Sequence, residues 1–155
     1  MRIFWVVAAL AVTLASPIAS AQQIVVADPA RHATELSNNM AVGGVMPLRT
    51  LYSQISEGAA LNASVEAGLM TFERSIAAPR AAHAAVIEDM SLADTYRSIV
   101  LYHYYGSTTW IFTRLDYVRI GPTEWALSSA YFGSDWRNVA LPDSPSFRSN
   151  LGNRR

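Results

Sequence analysis

Hydrophobic and polar positions divide the chain into a helical half and a strand half. Residues 94–136 form long runs rich in β-branched and aromatic residues. They are broken at Gly106-Ser107, where glycine frees the backbone, and at Gly121-Pro122, where proline lacks the amide a central strand needs. This predicts three antiparallel strands. Upstream, Asp28-Pro29 offers a cap with proline at the first helical position, and the following segment to about Asn38 reads as helical before Gly43-Gly44 ends it. Pro47 starts a second helix, with Leu48, Leu51, Tyr52 and Ile55 at helical spacing before Gly58. Ser64 is the expected cap of a third, whose apolar stripe is Val65, Leu69, Phe72 and Ile76, interrupted before Pro79. Residues 83–90 fit either another helical turn or a first strand. Val86-Ile87 ahead of a turn-like Ser91-Leu92-Ala93-Asp94 favours the strand. Three helices followed by a four-strand meander make an α+β layout, with helices covering one face of the sheet.

The pattern also predicts a register. A two-residue loop at Gly106-Ser107 places Tyr105 opposite Thr108 and pairs His103 with Trp110, Leu101 with Phe112, Ile99 with Arg114 and Arg97 with Asp116. A four-residue loop at 120–123 sets Arg119 against Glu124. It also sets Val118, Asp116, Arg114 and Phe112 against Trp125, Leu127, Ser129 and Tyr131. The charge matches Arg97–Asp116 and Arg119–Glu124 favour these pairings. One face then carries Arg97, Ile99, Leu101, His103, Trp110, Phe112, Arg114, Asp116, Val118, Trp125, Leu127 and Tyr131. The other carries Tyr96, Ser98, Val100, Tyr102, Tyr104, Ile111, Thr113, Leu115, Tyr117, Ala126, Ser128, Ala130 and Phe132. Neither is clearly polar, which implies two covers: helices on one face and a second subunit or another partner on the other.

The first residues alter the picture of where the chain acts. Arg2 precedes an apolar run over residues 3–14, then Ser16-Pro17 and the small triplet Ala19-Ser20-Ala21, the pattern of a secretory signal peptide cut after Ala21. Pro17 and the Ala/Ser-rich end interrupt a run that would need about 20 apolar residues to span a bilayer. An uncleaved signal peptide is thus the expected route to a membrane. Residues 22–136 form one expected domain, and 137–155, a Pro/Ser/Asn/Gly segment with Arg137, Arg148, Arg154 and Arg155, an expected disordered basic tail. With 0 Cys, disulfides, thiolate metal sites and cysteine nucleophiles are excluded. All 12 basic residues are Arg, which with the simple leader suggests a bacterial periplasmic protein. Without Arg2 the net charge is −1, which creates no field for nucleic acid.

The phrase Arg114-Leu115-Asp116-Tyr117-Val118-Arg119, a glycine-containing turn and Trp125-Ala126-Leu127, following helices, resembles small exported bacterial members of the nuclear transport factor 2-like, or cystatin-like, superfamily. In these a phrase similar to R-F-x-F-Y-R-P-G-x-G-W-x-L recurs at the last hairpin. The resemblance covers roughly residues 28–136. Ile120 stands where proline is usual, and Ala126, Ser128 and Ala130 where bulkier residues are common. The superfamily holds isomerases, dehydratases and binding modules, so it implies a fold and not a function.

Three groups of residues offer chemistry. Arg97, His103, Arg114 and Asp116 share one predicted face as residue types used in acid–base work, although a cross-strand ion pair beside a half-exposed histidine is the favoured account. Tyr96, Tyr102, Tyr104 and Tyr117 on the other face are candidate lining for a pocket left by small residues at 98, 126, 128 and 130, with core packing the competing account. Trp110, Phe112, Trp125, Leu127 and Tyr131 form the candidate face of a sheet-to-sheet homodimer. His32, His83 and His103 lack metal-ligand spacing, so neither metal nor cofactor is expected. The leading expectation is a non-enzymatic periplasmic domain binding a small apolar ligand or a protein partner. The alternative is a ketosteroid-isomerase-like enzyme in which a carboxylate moves a proton and tyrosine hydroxyls stabilise an oxyanion. An acid buried among the tyrosines would favour the enzyme, and the predicted register keeps Asp116 away from them.

Overall fold

Asp28 opens the first helix in the expected way: its side chain accepts from the Ala30 amide, and Pro29 takes the position where a missing N–H costs nothing. The structure, a computed structural model, describes residues 23–56, 61–106 and 108–140. The leader, the expected stop at Gly58 and the tail beyond 140 lie outside the described residues.

Helix α1 spans Pro29–Gly43 and ends on Gly44, whose φ of 62° and ψ of −130° suit glycine. Helix α2 is Met46–Ile55 and α3 is Ala63–Ser75. The cap of α3 is Asn62, two residues earlier than the expected Ser64, because the Asn62 side-chain Oδ1 accepts from both the Ser64 amide and its hydroxyl.

The sheet contains the predicted meander and one strand more. The two-residue β1, Val25–Val26, precedes the helices; β2 is His83–Leu92, β3 Tyr96–Tyr104, β4 Trp110–Arg119 and β5 Trp125–Gly133. Their antiparallel order is β1-β5-β4-β3-β2, so the first strand of the chain pairs with the last and forms one edge of the sheet. The result is α+β: helices, then a curled antiparallel sheet resembling a half-barrel. The ambiguous segment 83–90 is strand, continuing to Leu92 before a turn in which Ala93 and Asp94 have φ of 47° and 53°.

The register differs from the expected one by a single residue. Tyr104 pairs with Trp110, so the loop is 105–109, closed by Tyr105 N–H to the Thr109 carbonyl (2.9 Å). Tyr105 leaves the strand because its hydroxyl donates to the Met40 carbonyl of α1 at 2.8 Å. A one-residue slip exchanges the faces of a strand. Ile99 therefore faces Leu115, Leu101 faces Thr113, His103 faces Ile111, and Arg97 faces Tyr117 instead of Asp116. Apolar matching beneath the helices outweighs the charge match that suggested the other pairing. On the second hairpin Arg119 pairs with Trp125, and a bulge between Asp116 and Tyr117 sets Asp116 opposite Ser129.

The helices cover the face bearing Ile99, Leu101, Ile111, Leu115, Tyr117 and Leu127, which join Ala33, Leu36, Met40, Leu48, Leu51 and Leu69 in the core. On the outer face lies a short helix α4, Trp136–Val139, capped by Asp135. Residues 137–140, assigned above to the tail, are thus folded: Trp136 meets Phe112 edge to face at 5.4 Å and Val139 is buried. Among the described residues no helix is long and apolar enough to cross a membrane.

Candidate functional site

A groove of about 670 Å³ lies between α3 and β5. One wall is the stripe predicted for α3, from which Val65 and Phe72 point into the groove while Leu69 turns to the core. The other wall is the β5 segment from Ala130, closed at one end by Ser134, Asp135 and Asn138. Phe132 forms the floor, edge to face with Tyr52 at 5.5 Å and with Phe72 at 5.9 Å. A Cβ at Gly68 would lie 3.0 Å from the Phe132 ring, so glycine lets α3 approach the strand this closely. Tyr52 donates its hydroxyl to the Ala130 carbonyl at 2.7 Å, and burial pushes that phenol up. Ser64, Thr71 and Asn138 supply a polar rim. Asp135 pairs with Arg137 at 2.9 Å, and the hydrogen bond from that guanidinium lowers its pKa.

The candidate tyrosines do not share one pocket. Tyr117 is fully buried on the helix face, whereas Tyr96, Tyr102 and Tyr104 lie half-buried on the outer face. The polar cluster likewise divides, with Arg97 and His103 beneath the helices and Arg114 and Asp116 outside. Of the candidate dimer residues, Trp110, Phe112 and Tyr131 share the outer face, while Trp125 and Leu127 pack towards the core. In each case the one-residue change of register is the cause.

The same change brings Asp116 onto the face of Tyr96. Asp116 is 4% exposed and accepts from Ser98 Oγ at 2.8 Å and Ser129 Oγ at 3.0 Å. Burial, then a hydrogen bond to Asp116, pushes the Tyr96 phenol up to about 12. Arg114 Nε stands 3.2 Å from the carboxylate, yet its N–H is not aligned for a hydrogen bond, so this contact is a charge pair. Arg114 is fixed instead by donating to the Val139 carbonyl at 2.7 Å and by lying 4.2 Å over the Tyr131 ring. Every oxygen of Asp116 thus has a protein partner, and no described cavity is lined by it.

Two further contacts were not legible from spacing. His32 Nδ1 meets the Tyr117 hydroxyl at 2.8 Å, at the junction of two clefts of about 580 and 370 Å³ that also share Glu35. His103 Nε2 meets Ser37. His32 on α1 and Tyr117 on β4 are 85 residues apart, and only the packed fold makes them neighbours. Among the described residues no group of three His, Asp or Glu side chains gathers as metal ligands would. Comparison of the chain with protein-family profiles, curated proteins and solved structures yields no match.

Proposed function

We propose that the chain is an exported, non-enzymatic domain of the nuclear transport factor 2-like kind that takes a small apolar ligand, or an apolar segment of a protein partner, into the α3–β5 groove. The observation that carries this reading is the groove's chemistry. Aromatic rings of Tyr52, Phe72 and Phe132 line it, hydroxyl and amide groups rim it, and its one carboxylate among the described residues is engaged by Arg137. Its volume of about 670 Å³ suits a small-molecule site, where apolar walls with few polar groups are the rule. The leader pattern of residues 1–21 supports export, and the phrase from Arg114 to Leu127 supports the superfamily.

The test is a titration with 1-anilinonaphthalene-8-sulfonate and a medium-chain fatty acid, followed by amide NMR shifts. Shifts are expected at Gly68, Thr71 and Phe132, and the exposed Thr71→Trp should weaken binding at least about tenfold by filling the groove. Shifts confined to Tyr102 and Phe112, or no response to Thr71→Trp, would remove the groove from the account.

A ketosteroid-isomerase-like reading gains one observation, that buried Asp116 shares the outer face with Tyr96 and helps to raise its phenol. It requires that ketone α-protons exchange into D₂O faster with the protein than with Asp116→Asn. Equal rates would dismiss it.

A further inference from the structure

Three polar bridges fasten α1 to the sheet: His32 Nδ1 to the Tyr117 hydroxyl at 2.8 Å, His103 Nε2 to Ser37, and the Tyr105 hydroxyl to the Met40 carbonyl at 2.8 Å. Two of the three pass through an imidazole. His103 is fully buried, and its Nε2 lies 3.0 Å from the Ser37 carbonyl and 3.1 Å from the Ser37 hydroxyl. A carbonyl can only accept, so Nε2 carries the hydrogen. Nδ1 is then a bare lone pair, buried with no hydrogen-bond partner among the described residues. A proton arriving there would create an imidazolium in the core with an N–H that nothing accepts.

His32 is exposed to the same chemistry from the other side. Burial raises the Tyr117 phenol, which remains neutral and acts as the donor, leaving His32 Nδ1 as acceptor. A proton on Nδ1 removes that acceptor. We infer that α1 is an acid-released latch, in which a proton on His32 Nδ1 removes the acceptor of the Tyr117 hydroxyl and a proton on His103 Nδ1 buries an uncompensated charge beneath the helix, freeing Pro29–Gly43 and uncovering the apolar sheet face of Ile99, Leu101, Ile111 and Leu115.

The surroundings determine which histidine dominates. His103 is flanked by Ala84 of β2 and Ile111 of β4, stacks on Tyr105 at 6.3 Å and faces Ser37 of α1. Burial lowers its pKa from the ordinary 6.5 against the Ser37 carbonyl, and no charged group among the described residues offsets this. His32 faces Tyr117 of β4 and shares its cleft with Asp28, Arg31 and Glu35. Burial lowers it too, while Glu35, itself bridged to Arg31 at 2.8 Å, works in the opposite direction. Arg97 of β3 acts on the Tyr117 phenol. His103 is therefore the principal trigger. The sign follows from linkage: the released form binds protons from about pH 6.5 downwards, before the latched form does, so acid favours release. Each such proton multiplies the released population by about ten per pH unit.

The test uses wild-type protein, with hydrogen exchange of α1 and α3 amides corrected for intrinsic rates and imidazole titration by NMR, between pH 7.5 and 5. Protection of α1 should fall by about tenfold or more per unit below pH 6.5 relative to α3, with His103 in the Nε2–H tautomer and titrating below 6.5. A His103 that titrates at or above 6.5, or α1 and α3 losing protection in parallel, would overturn the latch. His103→Gln, where it folds, should shed about one proton from the slope, and an unchanged slope would exclude His103 as the trigger.

Discussion

The guanidinium of Arg97 donates through Nε and Nη2 to the two carboxylate oxygens of Asp89, at 2.8 and 2.7 Å, across the β2–β3 hairpin. Asp28, the cap of α1, stands 3.9 Å away. Arg97 thus links the edge of the sheet to the first helix, and it takes no part with Asp116, whose side chain is on the opposite face.

A double-mutant cycle should follow this geometry. The Arg97 and Asp89 side chains are 27% and 36% exposed, so solvent screens the pair and a coupling of about 0.2–1 kcal/mol is expected at low salt, shrinking at high salt. The Arg97/Asp116 cycle should show none. Urea unfolding of the four variants in each cycle decides it, and coupling only in the second would restore the two-residue loop.

The contrast shows which physical signals a sequence carries. Caps and stripes are local, so Asp28-Pro29 and the α3 positions Val65, Leu69 and Phe72 were readable. Register depends on how many residues a loop absorbs, and Tyr105 is drawn out of its strand by the Met40 carbonyl, a partner 65 residues away. The bulge after Asp116 and the two-residue β1 depend likewise on distant pairing. The groove was half visible: the α3 wall appears as periodicity, but nothing local places Phe132 opposite Gly68.

Asp116 should be a structural residue of the outer face. Asp116→Ala would leave Arg114, whose side chain is 11% exposed, beside empty hydroxyls of Ser98 and Ser129. Removing one partner of a buried pair typically costs about 3–5 kcal/mol, whereas Ser98→Ala loses one hydrogen bond, about 1 kcal/mol. Equilibrium urea unfolding should rank them in that order; a cost under about 1 kcal/mol for Asp116→Ala would show that the pair is not buried in solution.

Adjacent glycines at the end of α1 should respond with opposite signs. Gly43 is helical and an added Cβ meets only Pro47 at 3.5 Å, so Gly43→Ala should stabilise by about 0.5–1 kcal/mol. Gly44 has φ of 62° and ψ of −130°, and alanine there should cost about 1–3 kcal/mol. Thermal melts of the two variants measure the difference; equal shifts would mean that the α1–α2 junction relaxes.

Association should be read from the outer face as the structure composes it. Trp110 is 38% exposed, Val118 40% and Tyr131 44%, and they lie on the same side as Phe112 and Tyr102. Large side chains grouped in this way make an apolar patch that a second copy could cover, and a sheet-to-sheet homodimer is the prediction to test. Trp125 and Leu127 no longer belong to this interface, because they pack towards the core. Trp125→Arg should therefore destabilise the fold, and Trp110→Arg is the variant that tests association. Trp110 donates its indole N–H to the Ser134 carbonyl at 2.7 Å, so Trp110→Phe controls for loss of that bond. Light scattering should give twice the monomer mass for wild type and Trp110→Phe, and a folded monomer for Trp110→Arg. A wild type that stays monomeric at high micromolar concentration would show that this face carries no second copy.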